Sequence, residues 1–468
     1  MKKKIDYDNL KDELLSVLDS GLKSARKKDR EAEFEFYIFY RHCTRVDVKQ
    51  GVVEATDGLV EGNAVRIAKR KSVGFASSSG ISTERIEHSL DEAIASLKAV
   101  SVKDERFRGF CEPLKPGSEG AFSSEILSLS KDKLIKYADG LVKEAKGFDP
   151  RVLYATCSCS ADWGGFAVGN TLGLQQASRS ASNTCQVYCV AAKNEERRTG
   201  NEYDISRERV IKSEGLGESA AQQAVALLNA KKLGKTGVLP TVWIPIVASS
   251  YLFASLGQSA SGRAVVEGLS PLSDRLGKKI AHSNLTVVDD GQEPTSLSTE
   301  AVDAEGYPQK RKPLIEKGVL KNFMFDTYYG RIYGAESTGN CSRKGGIFGS
   351  TPPYESQLSI QPCYIKVTPG KRNIENMMKS IDGQAILIAD VPIGIFHSNV
   401  ATGEFSAVAQ SVFLIEKGEK KHPLQPVTVA GNFYKGLHQL IDIGNDSQKT
   451  PFSVETPTLI FDGFSVVG

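Results

Sequence analysis

The chain has 468 residues, a formal net charge of +3, and 40% hydrophobic and 25% charged residues. That length exceeds what one hydrophobic core usually serves, so two or more domains are expected, and the near-neutral charge gives no electrostatic case for a nucleic-acid partner. No window approaches the roughly 20 uninterrupted apolar residues of a membrane span, and MKKKIDYDNLKDELL has no apolar core behind its basic start, so the chain reads as cytoplasmic, without a signal peptide.

Residues 8–27 place Leu10, Leu14, Leu15 and Leu18 on one stripe, which predicts an amphipathic helix. FEFYIFYRHCTRVDVKQG, VVEATDG, NAVRIAKR and SVGFASSSG follow as strands with short connections, the pattern of an antiparallel meander. Ser82 opens a helix running to about Val100; Arg85 stands where a capping box needs Glu or Gln, so the cap is plain. After the linker RGFCEPLKPGSEGAF comes a helix near 130–147 ending at Gly147. DPRVLYATCSCSADWGGFAVGNTLGLQQ reads as strand, turn, strand, with Asn170 and Gly173 in the turns, and ESAAQQAVALLNAKK as an alanine-rich helix. LGKTGVLPT marks the passage into a second domain. Beyond it NLTVVDDG, KPLIEKGVLKNFMFD, QLSIQPCYIKVTPG and QAILIADVP are strand-rich, and QSVFLIEKGEKKHPLQPVTVAGN is a hairpin with EKGEKKHP at its tip. The expectation is an α+β chain of two domains. Residues 1–235 form an N-terminal antiparallel sheet with flanking helices, and residues 236–468 a β-rich domain with a large, mostly antiparallel sheet.

Chemical signatures are sparse. Gly234-Lys235-Thr236 ends like a phosphate loop, but Asn229 holds the position where glycine is required. Gly257-Gln258-Ser259-Ala260-Ser261 has Ser261 where a nucleophile elbow needs glycine. The six histidines include no pair at i+4 or i+5, so no helix turn presents two imidazoles to one ion. The eight cysteines form no C-x-x-C; Cys157 and Cys159 face one side of a strand and read as buried, reduced thiols. Most telling is SSYLFASLGQSASG, residues 249–262, a helix-spaced run with no acidic, basic or thiol side chain.

Taken in order, TVVDDG (286–291), AVDAEGYPQKRKPLIEKGVLKNFMFDTYYGRIYG (301–334), ESTGN (336–340), VATGEFSAVAQSVFLIEKGE (400–419), PVTVAGNFYKGLHQLIDIGND (426–446) and the terminal TPTLIFDGFSVVG resemble the TldD/PmbA family of metalloprotease subunits, once called modulators of DNA gyrase. VVEATDGLVEGNAVRIAKRKSVGFASSSG and DPRV with GNTLG resemble its N-terminal domain, so the resemblance spans nearly the whole chain. The resemblance implies two kinds of subunit. A TldD-type subunit carries H-E-x-x-x-H on a helix opening its C-terminal domain, two histidines holding zinc beside a glutamate that activates water. Laid on that pattern, this chain has Phe253, Ala254 and Gln258 at the three positions, and NDSQKTPFSVETPTL lacks the family's late cysteine ligand.

The resemblance therefore implies a TldE (PmbA)-type subunit with no metal or catalytic residue of its own, the zinc belonging to a TldD-type partner. It implies a heterodimer or a homodimer acting on unfolded or leader peptides. Gln258, Ser259, Gly403, Ser406 and Asn432 are the candidate cleft residues; a turn at Gly403 and backbone capping by Ser406 or Asn432 are their plainer readings. Two alternatives stand beside it: a peptidase with dispersed ligands such as His282, His397 or His422, and a self-associating peptide-binding scaffold.

Overall fold

The computed structural model describes residues 5–100, 102–212, 214–234, 236–343 and 351–468. Lys235, at the expected domain boundary and in the phosphate-loop-like triplet, lies outside the described residues.

The first sheet has six antiparallel strands: β1 (Glu33–Lys49), β2 (Val52–Lys69), β3 (Ser72–Ser79), β4 (Val152–Asn170), β5 (Gln175–Lys193) and β6 (Glu196–Ser206), in the order β3-β2-β1-β4-β5-β6. Two-residue turns with left-handed residues, Gln50-Gly51, Arg70-Lys71 and Asn194-Glu195, close three of its hairpins, as the right-handed twist of the strands prefers. VVEATDG and NAVRIAKR form one strand rather than two, because Gly58 and Gly62 stay in the ladder opposite Cys43 and Phe39.

Helices α1 (Leu10–Lys28), α2 (Thr83–Ala99), α3 (Lys131–Phe148) and α4 (Leu216–Ala226) cover one face of this sheet. The even residues of β1 point at them: Phe34, Phe36, Ile38 and Tyr40 meet α1 and α2, while Val46 and Val48 meet α3 and α4. The order helix-three strands-helix thus occurs twice. Gly74 on β3 lies where a Cβ would stand 2.6 Å from the Ala93 carbonyl of α2, and Gly200 on β6 where it would stand 2.0 Å from the Ala220 carbonyl of α4. Beside them the Phe75 amide donates to Ser96 Oγ and the Asn201 amide to Gln223 Oε1, so each outer strand is held by the helix that follows it.

The alanine-rich helix ends at Ala226, earlier than its composition suggests. Asn229 takes a left-handed φ of 62°, and the Lys231 amide donates to the Pro423 carbonyl, which stitches the chain to the edge of the next sheet.

The second half carries two larger sheets rather than one. The longer contains β7 (Gly237–Trp243), β8 (Gln384–Ile388), β9 (Glu404–Ala409), β10 (Val412–Glu416), β11 (Glu419–Leu424), β12 (Val427–Asn432), β13 (Leu440–Ile443) and β14 (Leu459–Val467). Its order is β9-β12-β14-β7-β8-β10-β11, with β13 pairing separately to β14. The β7–β8 pair is parallel, so the sheet is mixed though mostly antiparallel. The β10–β11 turn is only Lys417-Gly418, so the KKHP expected at the tip belongs to β11. A six-stranded sheet of short strands contains residues 287–290, 311–316, 319–320, 365–367, 448–450 and 454–456, with one parallel pair between 365–367 and 454–456. Helix α5 (Pro245–Ser259) runs through the core shared by these sheets.

The uncovered face of the first sheet turns to the second half. Tyr37, Phe166 and Val168 pack against Val302, Ala304 and Cys341. Arg66 lies at this junction. Its Nε and Nη2 donate to Glu35 at 2.8 and 2.9 Å, and Nη2 also reaches Glu305 Oε1 at 3.1 Å. Among the described residues, no helix is long and apolar enough to cross a membrane.

Candidate functional site

Helix α5 begins at Pro245, which fits a first helical turn, and thirteen of its fifteen residues are buried. Its small hydroxyl residues survive there because they bond back to the helix. Ser249 Oγ donates to the Ile246 carbonyl, Ser250 Oγ to Val247 and Ser255 Oγ to Tyr251, each at 2.7 Å. Tyr251 donates to the Phe433 carbonyl and packs among Trp243, Phe461 and Phe464.

The three positions aligned with a metal-binding helix motif have a definite environment. Phe253 is buried, its ring centroid 6.5 Å from Phe396 and 6.4 Å from Phe452, and the latter two are 5.2 Å apart. Ala254 is buried and Gln258 half-buried. Phe452 lies in NDSQKTPFSVETPTL, so the two segments expected to supply ligands contribute aromatic rings that meet. The three rings and Ala254 offer zinc no lone pair, and a single neutral amide at Gln258 does not make a zinc site, so the residues present do not fit that ion.

Among the described residues, the only His, Cys, Asp or Glu atoms clustered closely enough in threes to hold one ion belong to Cys157, Cys159 and Cys185, far from α5 in sequence. His282 Nδ1 accepts from the Asn284 amide at 3.2 Å, and His422 lies within β11.

Three of the five cleft candidates surround Tyr434. Gly403 has φ 78°, and a Cβ there would stand 2.3 Å from the Tyr434 ring. Asn432 Oδ1 accepts from the Tyr434 amide at 3.1 Å and the Lys435 amide at 3.2 Å, the geometry of a helix N-cap, while its Nδ2 donates to the Thr402 carbonyl at 2.8 Å. Ser259 is fully buried near Tyr434, whose hydroxyl donates to the Val400 carbonyl at 2.8 Å and is pushed up to about 12 by burial. Ser406 and Asn432 line an open groove of about 790 Å³ with His397, Glu404 and Lys435. Strands β9, β12 and β14 all line it, and the β9 edge is partly occupied: the Ile393 and Val408 backbones bond reciprocally at 2.9 and 2.8 Å. Gln258 joins neither the groove nor the Tyr434 cluster.

A second cavity, of about 600 Å³, lies between the halves of the molecule. Arg41, Asp162 and Trp163 line it from the first sheet, and Glu300, Asn340 and Pro362 from the second half. Pro362 links this cavity to α5, since a Cβ on Gly257 would stand 3.7 Å from its Cγ. None of the five candidates lines it. No periodicity marks these residues; the segments AVDAEGY and ESTGN, which border the cavity through Val302, Asp303, Ala304, Gly339 and Asn340, were the available signal.

Within this lining the Asp303 carboxylate accepts amides of Glu305, Tyr307 and Cys341 at 2.9–3.0 Å, fixing the loop that delivers Glu305 to Arg66. Asp326 caps the next helix by accepting from the Tyr329 amide at 2.7 Å. Burial, with the Glu305 charge second, pushes the Asp326 carboxyl from 3.8 up to about 7. Between those two values the folded chain holds a proton the unfolded chain releases, so stability falls as pH rises through that window. Asp326→Asn keeps the cap and removes the titration. Urea unfolding from pH 4 to 8 should show a shallower decline for the variant, with its largest relative gain at pH 8. An unchanged slope would refute this assignment.

Residues 124–228 match the PmbA/TldA metallopeptidase central domain, and residues 236–468 the PmbA/TldA metallopeptidase C-terminal domain. A metalloprotease PmbA homologue of Haemophilus influenzae is 25% identical over 89% of this chain and 87% of its own length. A metalloprotease TldD homologue of Buchnera aphidicola is 22% identical over 93% and 92%. The crystal structure of TldE from Thermococcus kodakarensis superposes with a TM-score of 0.87 at 25% identity, covering 97% of this chain and all of that one.

Proposed function

Because the chain belongs to the PmbA/TldD metallopeptidase family, we propose that it is the non-catalytic subunit of a two-subunit, zinc-dependent peptidase, paired with a TldD-type chain that supplies the metal. Relatives carry both PmbA and TldD names, so the choice rests on this chain's own residues. The observation that carries it is the packing of Phe253, Phe396 and Phe452 where a catalytic subunit needs ligands. An imidazole pair and a water-activating carboxylate have no room or partner there.

The substrate in this reading is an extended, unfolded or leader peptide. The cavity between the halves suits one. It is bounded by a sheet face and offers Arg41 and Asp162, an ion pair at 2.9 Å, as polar contacts for main-chain groups. A subunit of this kind walls the chamber and orients its partner, and enclosure selects unfolded chains.

The test compares the purified chain alone with the chain mixed with a TldD-type subunit carrying H-E-x-x-x-H, using a quenched fluorescent unfolded peptide. The expected result is no cleavage by the chain alone and chelator-sensitive cleavage by the mixture, above that of the partner alone. Chelator-sensitive cleavage by the chain alone, with zinc bound at one per chain, would instead make it a peptidase in its own right.

A further inference from the structure

Strand β4 is directly opposite β5 with Cys159 paired to Cys185, and Cys157 lies two residues before Cys159 on the same face. Their three sulfurs converge: Cys157 to Cys159 is 3.6 Å, Cys157 to Cys185 3.6 Å and Cys159 to Cys185 2.8 Å. All three are buried beneath α3 and α4, among Val46, Val48, Leu141 and Ala220. Nothing in the proposed peptidase role uses them.

We propose that Cys157, Cys159 and Cys185 form a three-thiol site for a trivalent thiophilic metalloid, entered by arsenite. Three sulfurs each about 2.3 Å from one soft centre stand roughly 3.3–4 Å apart. Two of the observed separations already lie in that range, and the third needs a small rotation at Cys159 or Cys185. Soft sulfur donors select soft ions over magnesium, calcium or manganese.

Charge selects among the soft ions. The side chains packed around the sulfurs are apolar, and Asp47, the charged neighbour of Cys157 and Cys159, is an anion already paired with Arg45 at 2.8 Å, so the surroundings offer little compensation for extra negative charge. Monovalent copper on three thiolates would carry two negative charges and divalent zinc one, both costly in an apolar core. A trivalent centre on three thiolates is neutral. The condensation is neutral throughout: three S–H and three As–O bonds break, three S–As bonds form, and three waters leave, with no change of oxidation state. Uncharged As(OH)3 enters when the covering helices open locally. Cys189, on the same strand face, stands outside the sulfur cluster, and burial pushes its thiol up to about 12.

The test uses the full chain, reduced with a phosphine and incubated with sodium arsenite, then measured by native mass spectrometry and thermal melting. One arsenic gained with three hydrogens lost per chain is expected, and a melting temperature raised by several degrees, since the ligand binds the folded state. Cys159→Ala should abolish the three-hydrogen product and the melting gain that goes with it, whereas Cys43→Ser, outside the cluster, should keep both. Cys157→Ala serves if Cys159→Ala does not melt cooperatively. It leaves a dithiol, so any arsenic it takes must keep one hydroxyl, and the mass tells the two products apart. No uptake by the folded wild type, uptake only in urea, or the three-hydrogen product persisting in either alanine variant would overturn the proposal. So would air oxidation to a Cys159–Cys185 disulfide in place of uptake.

Discussion

Replacing Arg66 by methionine is expected to lower the unfolding free energy by about 3–5 kcal/mol, the usual consequence of removing one member of a buried ion network. Arg66 is the cation between two nearly inaccessible carboxylates, Glu35 from β1 and Glu305 from the loop held by Asp303. Methionine keeps an unbranched apolar stem and removes the cation that hydrogen-bonds both anions, leaving Glu35 only the more remote charge of Arg343. Burial already pushes the Glu35 carboxyl up, and the guanidinium opposes that shift. Adding Glu35→Gln to the variant should recover part of the loss, and Arg66→Lys should recover little, because the bidentate grip on Glu35 needs the planar fork. Urea denaturation of the parent and the three variants measures this. A loss below about 1 kcal/mol in Arg66→Met, the size of a surface ion pair, would mean the network adds nothing at the junction.

Installing the family's motif is the second large effect. The triple replacement Phe253→His, Ala254→Glu and Gln258→His should cost at least about 3–5 kcal/mol, the range for truncating a buried aromatic, before any charge is counted. The carboxylate introduced at position 254 would enter a buried site beside apolar neighbours, where the lack of a partner adds to the loss. Phe396 and Phe452 would still occupy the space of a third ligand. The expected protein melts well below the parent and holds less than one zinc per chain. A variant as stable as the parent and fully loaded with zinc would show that the aromatic trio is not what keeps metal away.

Some of this was legible in advance. The even residues of β1 are apolar through most of the strand, so the meander and its helix-covered face follow from period-2 patterning. The lack of carboxylate, imidazole, amine and thiol side chains on α5 was equally plain. The division of the second half into two sheets was not, since strands of two to four residues such as 319–320 and 287–290 carry too little pattern to assign. Nor was the meeting of Phe253, Phe396 and Phe452, or of Arg66 and Glu305. Those contacts join segments distant in the chain, and no periodicity encodes them. Cys157 and Cys159 could be placed on one face, but Cys185 becomes their neighbour only through the register of β4 with β5.

The doubled helix-three strands-helix order also bears on how the chain reaches its native state. Within each copy the strands join through hairpins, and closing short loops costs little entropy. The β1–β4 ladder, from Glu35–Asn170 to Val48–Cys157, ties the copies together over a long stretch of chain, with α1 packed on β4 and β5 and α3 packed on β1. Topology of this kind favours two locally nucleated halves that form quickly and a slower seam between them. A newly made first half would therefore expose the inner edge of β1 until β4 emerges, and this is the interval in which the protein is most open to pairing with another chain.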